Sequence, residues 1–285
     1  MSFLEWLFSD KSVNPKVDGA WGLGHILTLV FCILAIVGIS FLRKKEFKLR
    51  FAVIKYLVIV LLAFELARRG IYVIKGFVYP SIGYFSLHDI LYNFLPRPWC
   101  AISVWCIILS IAIKNTRFYN FTSITAIMNA LVFFAYPGAG FVNEYMQFEN
   151  IYSIVTHSLL LIIAVSMITL KFTDFKYYEG SLKKSFLMEL LFLAIIFAYG
   201  FIEIYVLKIS TDPLYFNPGN DVQKTFGFEY PLFLFIYIIF LIFYYNIFFI
   251  VQELIQHTLK DTFNKIFPKK KFYIRLRRKK NHLKY

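Results

Sequence analysis

Charge is scarce in this 285-residue chain: Asp, Glu, Lys and Arg make up 17% of it, where soluble domains carry about 25%. Cysteine is scarcer. Cys32, Cys100 and Cys106 are the whole supply, each set in an apolar run, which excludes a disulfide framework. No C-x-x-C pair offers zinc ligands, and no two His or carboxylate residues stand four apart on an apolar segment, so no metal or other cofactor is expected. The nucleophile and metalloprotease signatures G-x-S-x-G and H-E-x-x-H are missing. Residues 1–20 carry Asp, Lys, Asn and Pro where a cleavable leader needs a basic stretch and then an apolar one, and they read as a short N-terminal segment.

What is abundant is apolar surface. The chain is 59% hydrophobic and 20% aromatic, and its mean hydropathy is +0.62. A soluble fold of this size could not hide that excess, because most residues still reach the surface. A helix crosses a bilayer with about 20 apolar residues, since the hydrocarbon is about 30 Å thick and each residue rises about 1.5 Å. Seven stretches fit: 21–42, 51–76, 99–113, 118–136, 151–170, 185–209 and 231–251. The third is short and follows Pro96 and Pro98, where proline is tolerated at a helix start. An amphipathic piece at 85–95 is placed on the membrane surface ahead of it. The expected fold is therefore all-α, a polytopic membrane bundle of about seven helices.

Cations set its orientation. Arg43, Lys44, Lys45, Lys48 and Arg50 follow the first segment; Lys114 and Arg117 follow the third; Lys171, Lys176, Lys183 and Lys184 follow the fifth. Asp89, Glu144, Glu149, Asp212, Asp221 and Glu229 lie in the alternate connections. With seven spans, every basic loop falls on one side, so the N-terminus is expected outside and the C-terminus in the cytoplasm of a cell-membrane protein. Residues 1–20 form the outer segment, 21–251 the membrane domain and 252–285 a basic tail. The net charge of +14 owes much to that tail, where Lys and Arg recur from Lys260 to Lys284 against Glu253 and Asp261. Each cation beside an anionic leaflet contributes about 1 kcal/mol, so the tail's expected partner is inner-leaflet lipid. Without interleaved aromatics or a motif, nucleic acid is not expected.

Ionisable groups within a span are costly and usually face the bundle interior. His25 enters one turn into the first segment. Glu65 stands in the second with Arg68 and Arg69 three and four residues on, so it can pair with either on one helix face. Cys100 opens the third, Asn129 sits in the outer half of the fourth, His157 about two turns into the fifth and Glu203 in the outer half of the sixth. These depths agree and suggest one site near the outer leaflet. Each residue also has a plainer explanation. A cysteine is often a small buried hydrophobe, a histidine or asparagine a contact between helices, Glu65 half of a structural ion pair, and Arg69 a side chain reaching for the interface. Thiol and imidazole together offer nucleophilic chemistry: the thiolate attacks an ester carbonyl and the imidazole shuttles the proton.

The segment Leu95-Pro96-Arg97-Pro98-Trp99-Cys100-Ala101-Ile102-Ser103 resembles the L-P-x-H-x-C-D-x-S segment of YwaF-type bacterial integral membrane proteins. The likeness extends over roughly residues 18–251. It takes in Gly24-His25, Glu65 with Arg68 in place of an E-x-x-K pair, Lys114-Asn115, Pro137-Gly138, Thr156-His157-Ser158 and the loop from Thr211 to Phe216. That family is similar to the eukaryotic transmembrane protein 164, a multipass phospholipid acyltransferase. The resemblance implies Cys100 as nucleophile and His157 as base, with His25, Glu65 and Arg68 supporting or binding a headgroup. Pro98 stands where the family has His, and Ala101 where it has Asp.

Three functions follow as expectations. One is thiol-dependent acyl transfer on membrane phospholipids at Cys100 and His157, with His25, Glu65, Arg68, Arg69, Asn129 and Glu203 binding substrate. The second is a small-solute transporter or the substrate-binding membrane subunit of one. The third is a non-catalytic structural membrane protein.

Overall fold

The computed structural model describes residues 19, 21–78, 94–96, 99–135, 141, 148–175, 182–208, 214–218, 220, 223–224, 227 and 228–266. Most of the N-terminal segment, most of the interfacial piece at 85–95, and the tail from residue 267 lie outside them. Seven helices run through the described residues: α1 (Leu23–Ser40), α2 (Phe47–Val78), α3 (Trp99–Ile113), α4 (Thr116–Ala135), α5 (Phe148–Thr169), α6 (Leu182–Phe201) and α7 (Leu232–Ile266). Each coincides with one of the apolar stretches, and no strand occurs among the described residues.

Five helical stretches are long and apolar enough to cross a membrane: α1 with the turn after it, α4, α5, α6 with the turn after it, and the first part of α7. The other two depart for opposite reasons. α2 has 32 residues, ample length, but carries charges along it. α3 is apolar but has only 15 residues. α7 continues to Ile266, so the region assigned to the tail begins as helix.

Local chemistry sets the helix ends. Asn115 caps α4, its Oδ1 accepting from the backbone N–H of Arg117 at 2.9 Å and of Phe118 at 3.3 Å. α5 ends in a left-handed Lys171 (φ 63°), with the Phe172 N–H donating to the Met167 carbonyl at 2.9 Å. Lys114 closes α3 in the same conformation (φ 50°). A lysine suits these ends because its charge complements the exposed carbonyls. At this basic end of the bundle, Arg50 donates to the Leu170 carbonyl and its guanidinium lies over Phe47 and Phe172, 5.7 and 5.9 Å from the ring centroids.

α4 and α5 are central. One apolar cluster joins α1 to α5 through Cys32, Leu61, Ile107, Ala130 and Leu160. A second joins α3 and α4 to α6 and α7 through Phe121, Leu193, Leu241 and Tyr245. α4 belongs to both. It is also the polar helix, with Asn120, Thr122, Ser123 and Thr125 fully buried. Lipid tails would leave such groups unsatisfied, so they turn inward and bond across helices. Asn129 donates to Ser103 and to the Trp99 carbonyl (3.3 Å), Thr125 and Tyr245 share a hydrogen bond of 2.7 Å, and the Trp99 indole donates to Tyr237 at 2.8 Å. α1, by contrast, shows Leu27, Val30, Phe31, Leu34 and Val37 to its surroundings.

Gly200, near the end of α6, is required by close approach. A Cβ there would lie 2.3 Å from Leu214 Cδ1 and 2.8 Å from its Cγ. Gly200→Ala is expected to destabilise the protein by about 1–3 kcal/mol through overpacking. Leu214→Ala in the same chain should recover part of the loss. A double-mutant cycle from unfolding in detergent measures that coupling, and purely additive losses would refute the contact.

Candidate functional site

The site grows from one face of α2. Glu65, Arg68, Arg69 and Tyr72 stand at i, i+3, i+4 and i+7, the spacing that stacks side chains along a helix. Counting about 1.5 Å per residue from Phe51 places Glu65 about 21 Å from the basic end.

Both members of the ion pair are buried, Glu65 at 1% exposure and Arg69 at 3%. Arg69 Nη1 bonds Glu65 Oε1, while its Nε and Nη2 donate to the Phe94 carbonyl at 3.2 and 3.0 Å. Its guanidinium also lies over the Trp105 ring of α3, 5.4 Å from the centroid. Glu65 Oε2 accepts from the Tyr152 hydroxyl of α5. Arg69 thus does not reach for the interface, as its position near the end of the segment suggested. It pairs inside the bundle, and of the two possible partners Glu65 bonds Arg69 rather than Arg68.

Arg68 is held differently. Its guanidinium lies over two rings, Tyr72 at 5.1 Å and Tyr152 at 4.9 Å. The nearest carboxylates are engaged, Glu65 by Arg69 and Tyr152, Glu149 by the Tyr72 hydroxyl. No ion pair involves Arg68 among the described residues. Arg68 also hydrogen-bonds the Tyr72 side chain, and a guanidinium with five N–H donors has others left for a ligand.

Cys100, in the first turn of α3, is within electrostatic reach of Arg68, Glu65 and Tyr152. Three helices therefore bring a thiol, a guanidinium and a neutralised ion pair within electrostatic reach of one another.

The histidines lie elsewhere. His157 stacks face to face on Phe133 of α4, with centroids 4.0 Å apart, and its Nδ1 bonds the Ser153 carbonyl of its own helix at 2.7 Å. No hydrogen bond joins it to Cys100. Tyr152 and His157 are five residues apart on α5, which turns their side chains about 140° from each other. His25 is fully buried against Phe141 (4.8 Å) and Phe134 (6.0 Å), and its Nδ1 accepts from the Trp21 N–H at 3.1 Å. Phe133 and Phe141 are neighbours, so the two imidazoles share one aromatic box between α1, α4 and α5.

Asn129 bonds between α3 and α4, as described above. Glu203 is buried in a π-helical turn, Ile202–Val206, and accepts from Tyr199. The Tyr199 hydroxyl also lies 3.3 Å from the Pro96 carbonyl. Arg69 and Tyr199 thereby hold the turn before Cys100 from two sides. No group of three or more His, Cys, Asp or Glu able to hold a metal occurs among the described residues.

Two features escaped the reading of the sequence. Tyr72 and Tyr152, which frame Arg68, pass as ordinary aromatics in a chain with 20 tyrosines. Glu189, on α6, is 1% exposed and both its carboxylate oxygens lack a hydrogen-bond partner. A signal for it was present, a carboxylate inside the run Phe186-Leu187-Met188-Glu189-Leu190-Leu191-Phe192. It is in electrostatic reach of Tyr245.

No family model, curated protein or solved structure matches the chain.

Breaking the pair is expected to be costly. Arg69→Leu leaves Glu65 buried beside Tyr152 alone, a loss of about 3–5 kcal/mol. Removing both charges with Glu65→Leu and Arg69→Leu should recover most of it. Thermal unfolding in detergent checks this, and equal losses in the single and double variants would show that the ion pair is not what Arg69 supports.

Proposed function

We propose that this multipass membrane protein binds the anionic headgroup of a phospholipid at Arg68 and moves an acyl chain through Cys100. One observation carries the reading: Arg68 lies over two tyrosine rings, within electrostatic reach of the thiol, while both nearby carboxylates are bound to other groups. A phosphate accepts from the guanidinium edge in charge-assisted hydrogen bonds, and Arg69 is too engaged to compete for it. The likeness of residues 95–103 to a lipid-handling family favours the same chemistry.

In this reading the Cys100 sulfur attacks an ester carbonyl of the bound lipid. The S–C bond forms, the C–O bond to glycerol breaks, and the thiol proton ends on the departing hydroxyl. A hydroxyl of a second lipid then takes the acyl group and returns its proton to sulfur. His157 is assigned no step, because it stacks away from the thiol on another face of α5.

A second reading rests on Glu189. A carboxylate without a partner at membrane depth is a mark of proton- or ion-coupled transport. Solute uptake that is lost in Glu189→Gln and intact in Cys100→Ala would favour it.

The test is transfer of a labelled acyl chain between phospholipid and lysophospholipid by protein in liposomes. Cys100→Ala should abolish it. Arg68→Gln should raise KM about 10–100-fold, the worth of about 1.5–3 kcal/mol for hydrogen bonds to a charged group. His157→Gln should stay within a few-fold of the unaltered protein. Transfer unchanged in Cys100→Ala would end the reading.

A further inference from the structure

A groove of about 390 Å³ runs between α1 and α5 on the apolar outside of the bundle. Leu27, Thr28 and Phe31 line it from α1, and Ile154, Val155, Ser158, Leu159 and Ile162 from α5. The surface around it on α1 is apolar and exposed, so the medium that reaches it is hydrocarbon.

Its register links it to Arg68. Tyr152, Val155 and Leu159 stand at i, i+3 and i+7 of α5, one line along the helix. The upper end of that line is the tyrosine ring over which Arg68 lies. Ten residues separate Tyr152 from Ile162, a rise of about 15 Å. Half of a hydrocarbon core about 30 Å thick is the same length. A lipid with its phosphate at Arg68 would thus lay one chain, over the depth of one leaflet, along the groove.

We propose that the α1–α5 groove holds one acyl chain of the glycerophospholipid whose phosphate Arg68 binds. This rests on the headgroup reading of Arg68 and adds to it where the chain lies. Length and apolar lining match the occupant. Thr28 and Ser158 are the two residues of those eight with polar side chains; Thr28 donates to the Gly24 carbonyl of its own helix at 2.7 Å, and Ser158 is small enough to leave the floor of the groove open.

The experiment uses the full chain in phosphatidylcholine nanodiscs with a trace of phosphatidylglycerol carrying a mid-chain diazirine. Adducts formed on illumination are mapped by mass spectrometry. They should concentrate on Leu27–Phe31 and Val155–Ile162, at least fivefold above those at Leu34, which is exposed on α1 outside the groove. Filling the groove with Leu159→Trp, or from the facing helix with Leu27→Trp, should bring groove adducts down to the Leu34 level. Both variants should still bind dihexanoyl phosphatidylglycerol, whose chains are too short to need the groove. Groove adducts that never exceed those at Leu34, or that persist in both folded tryptophan variants, would overturn the proposal. Failure of the headgroup reading is read separately, as unaltered binding of dihexanoyl phosphatidylglycerol by Arg68→Gln.

Discussion

The whole site depends on Glu65 and Arg69 being buried together. In a bilayer there is no water to complete the hydrogen bonds of a charged group, and an unpaired charge costs several kcal/mol. Apolar packing between helices cannot offset this, because lipid tails are as apolar as leucine. The charges on α2 therefore fix its rotation. Glu65 must meet Arg69 on its own helix and Tyr152 on α5; Arg69 must also find the Phe94 carbonyl and the Trp105 ring. Those contacts bring α2, α3 and α5 to one place and put the turn at 94–96 beside them. Cys100 follows four residues later, so its position is set by the same pair.

The same rule explains the division of the bundle. α4 carries the amides and hydroxyls that lipid would reject, so it takes the centre and each neighbour bonds to it. Its links run to α3 through Asn129 and Ser103, to α7 through Thr125 and Tyr245, and to the segment after α5 through Asn120 and Asp174. α1 bears no comparable group along its outer face and stays peripheral. A peripheral helix held mainly by apolar contacts can leave a groove at its seam. A helix held by hydrogen bonds, such as α3 against α4, has much less freedom to do so.

The helices were legible in the sequence because membrane thickness imposes a length and apolar composition is read directly. Each of the seven stretches holds a helix among the described residues, and the shortness of α3 was visible as an exception; the second stretch was expected to span, and the charges along α2 keep it from the five helices that are apolar enough. The site was legible only in part. Glu65, Arg68, Arg69 and Cys100 announced themselves as costly or reactive groups, and they do lie near one another. Which arginine pairs with Glu65 was not legible, since i+3 and i+4 are equivalent until a neighbouring helix chooses between them. Nor was the stacking of His157 on Phe133 and its bond to the Ser153 carbonyl. Depth along a helix can be counted from the sequence, but the side of the helix that faces a given neighbour depends on packing. Tyr152 escaped because its role lies in a ring face and a hydroxyl aimed at another helix, neither of which composition marks.

The two arginines also show why adjacent cations take different parts. They are one residue apart, so their side chains leave α2 about 100° from each other. Arg69 points into the bundle and is consumed by a carboxylate and a carbonyl. Arg68 lies over the rings of Tyr72 and Tyr152 and hydrogen-bonds the Tyr72 side chain, with no carboxylate bonded to it among the described residues. A lysine could supply the charge at this position. It could not be fixed in a plane between two rings, because an ammonium has no flat face. In the proposed reading, a guanidinium held over rings presents its donors in one direction, and a phosphate that accepts two of them is held in orientation as well as in place. That orientation is what an ester carbonyl needs if it is to be presented to a thiol on the next helix.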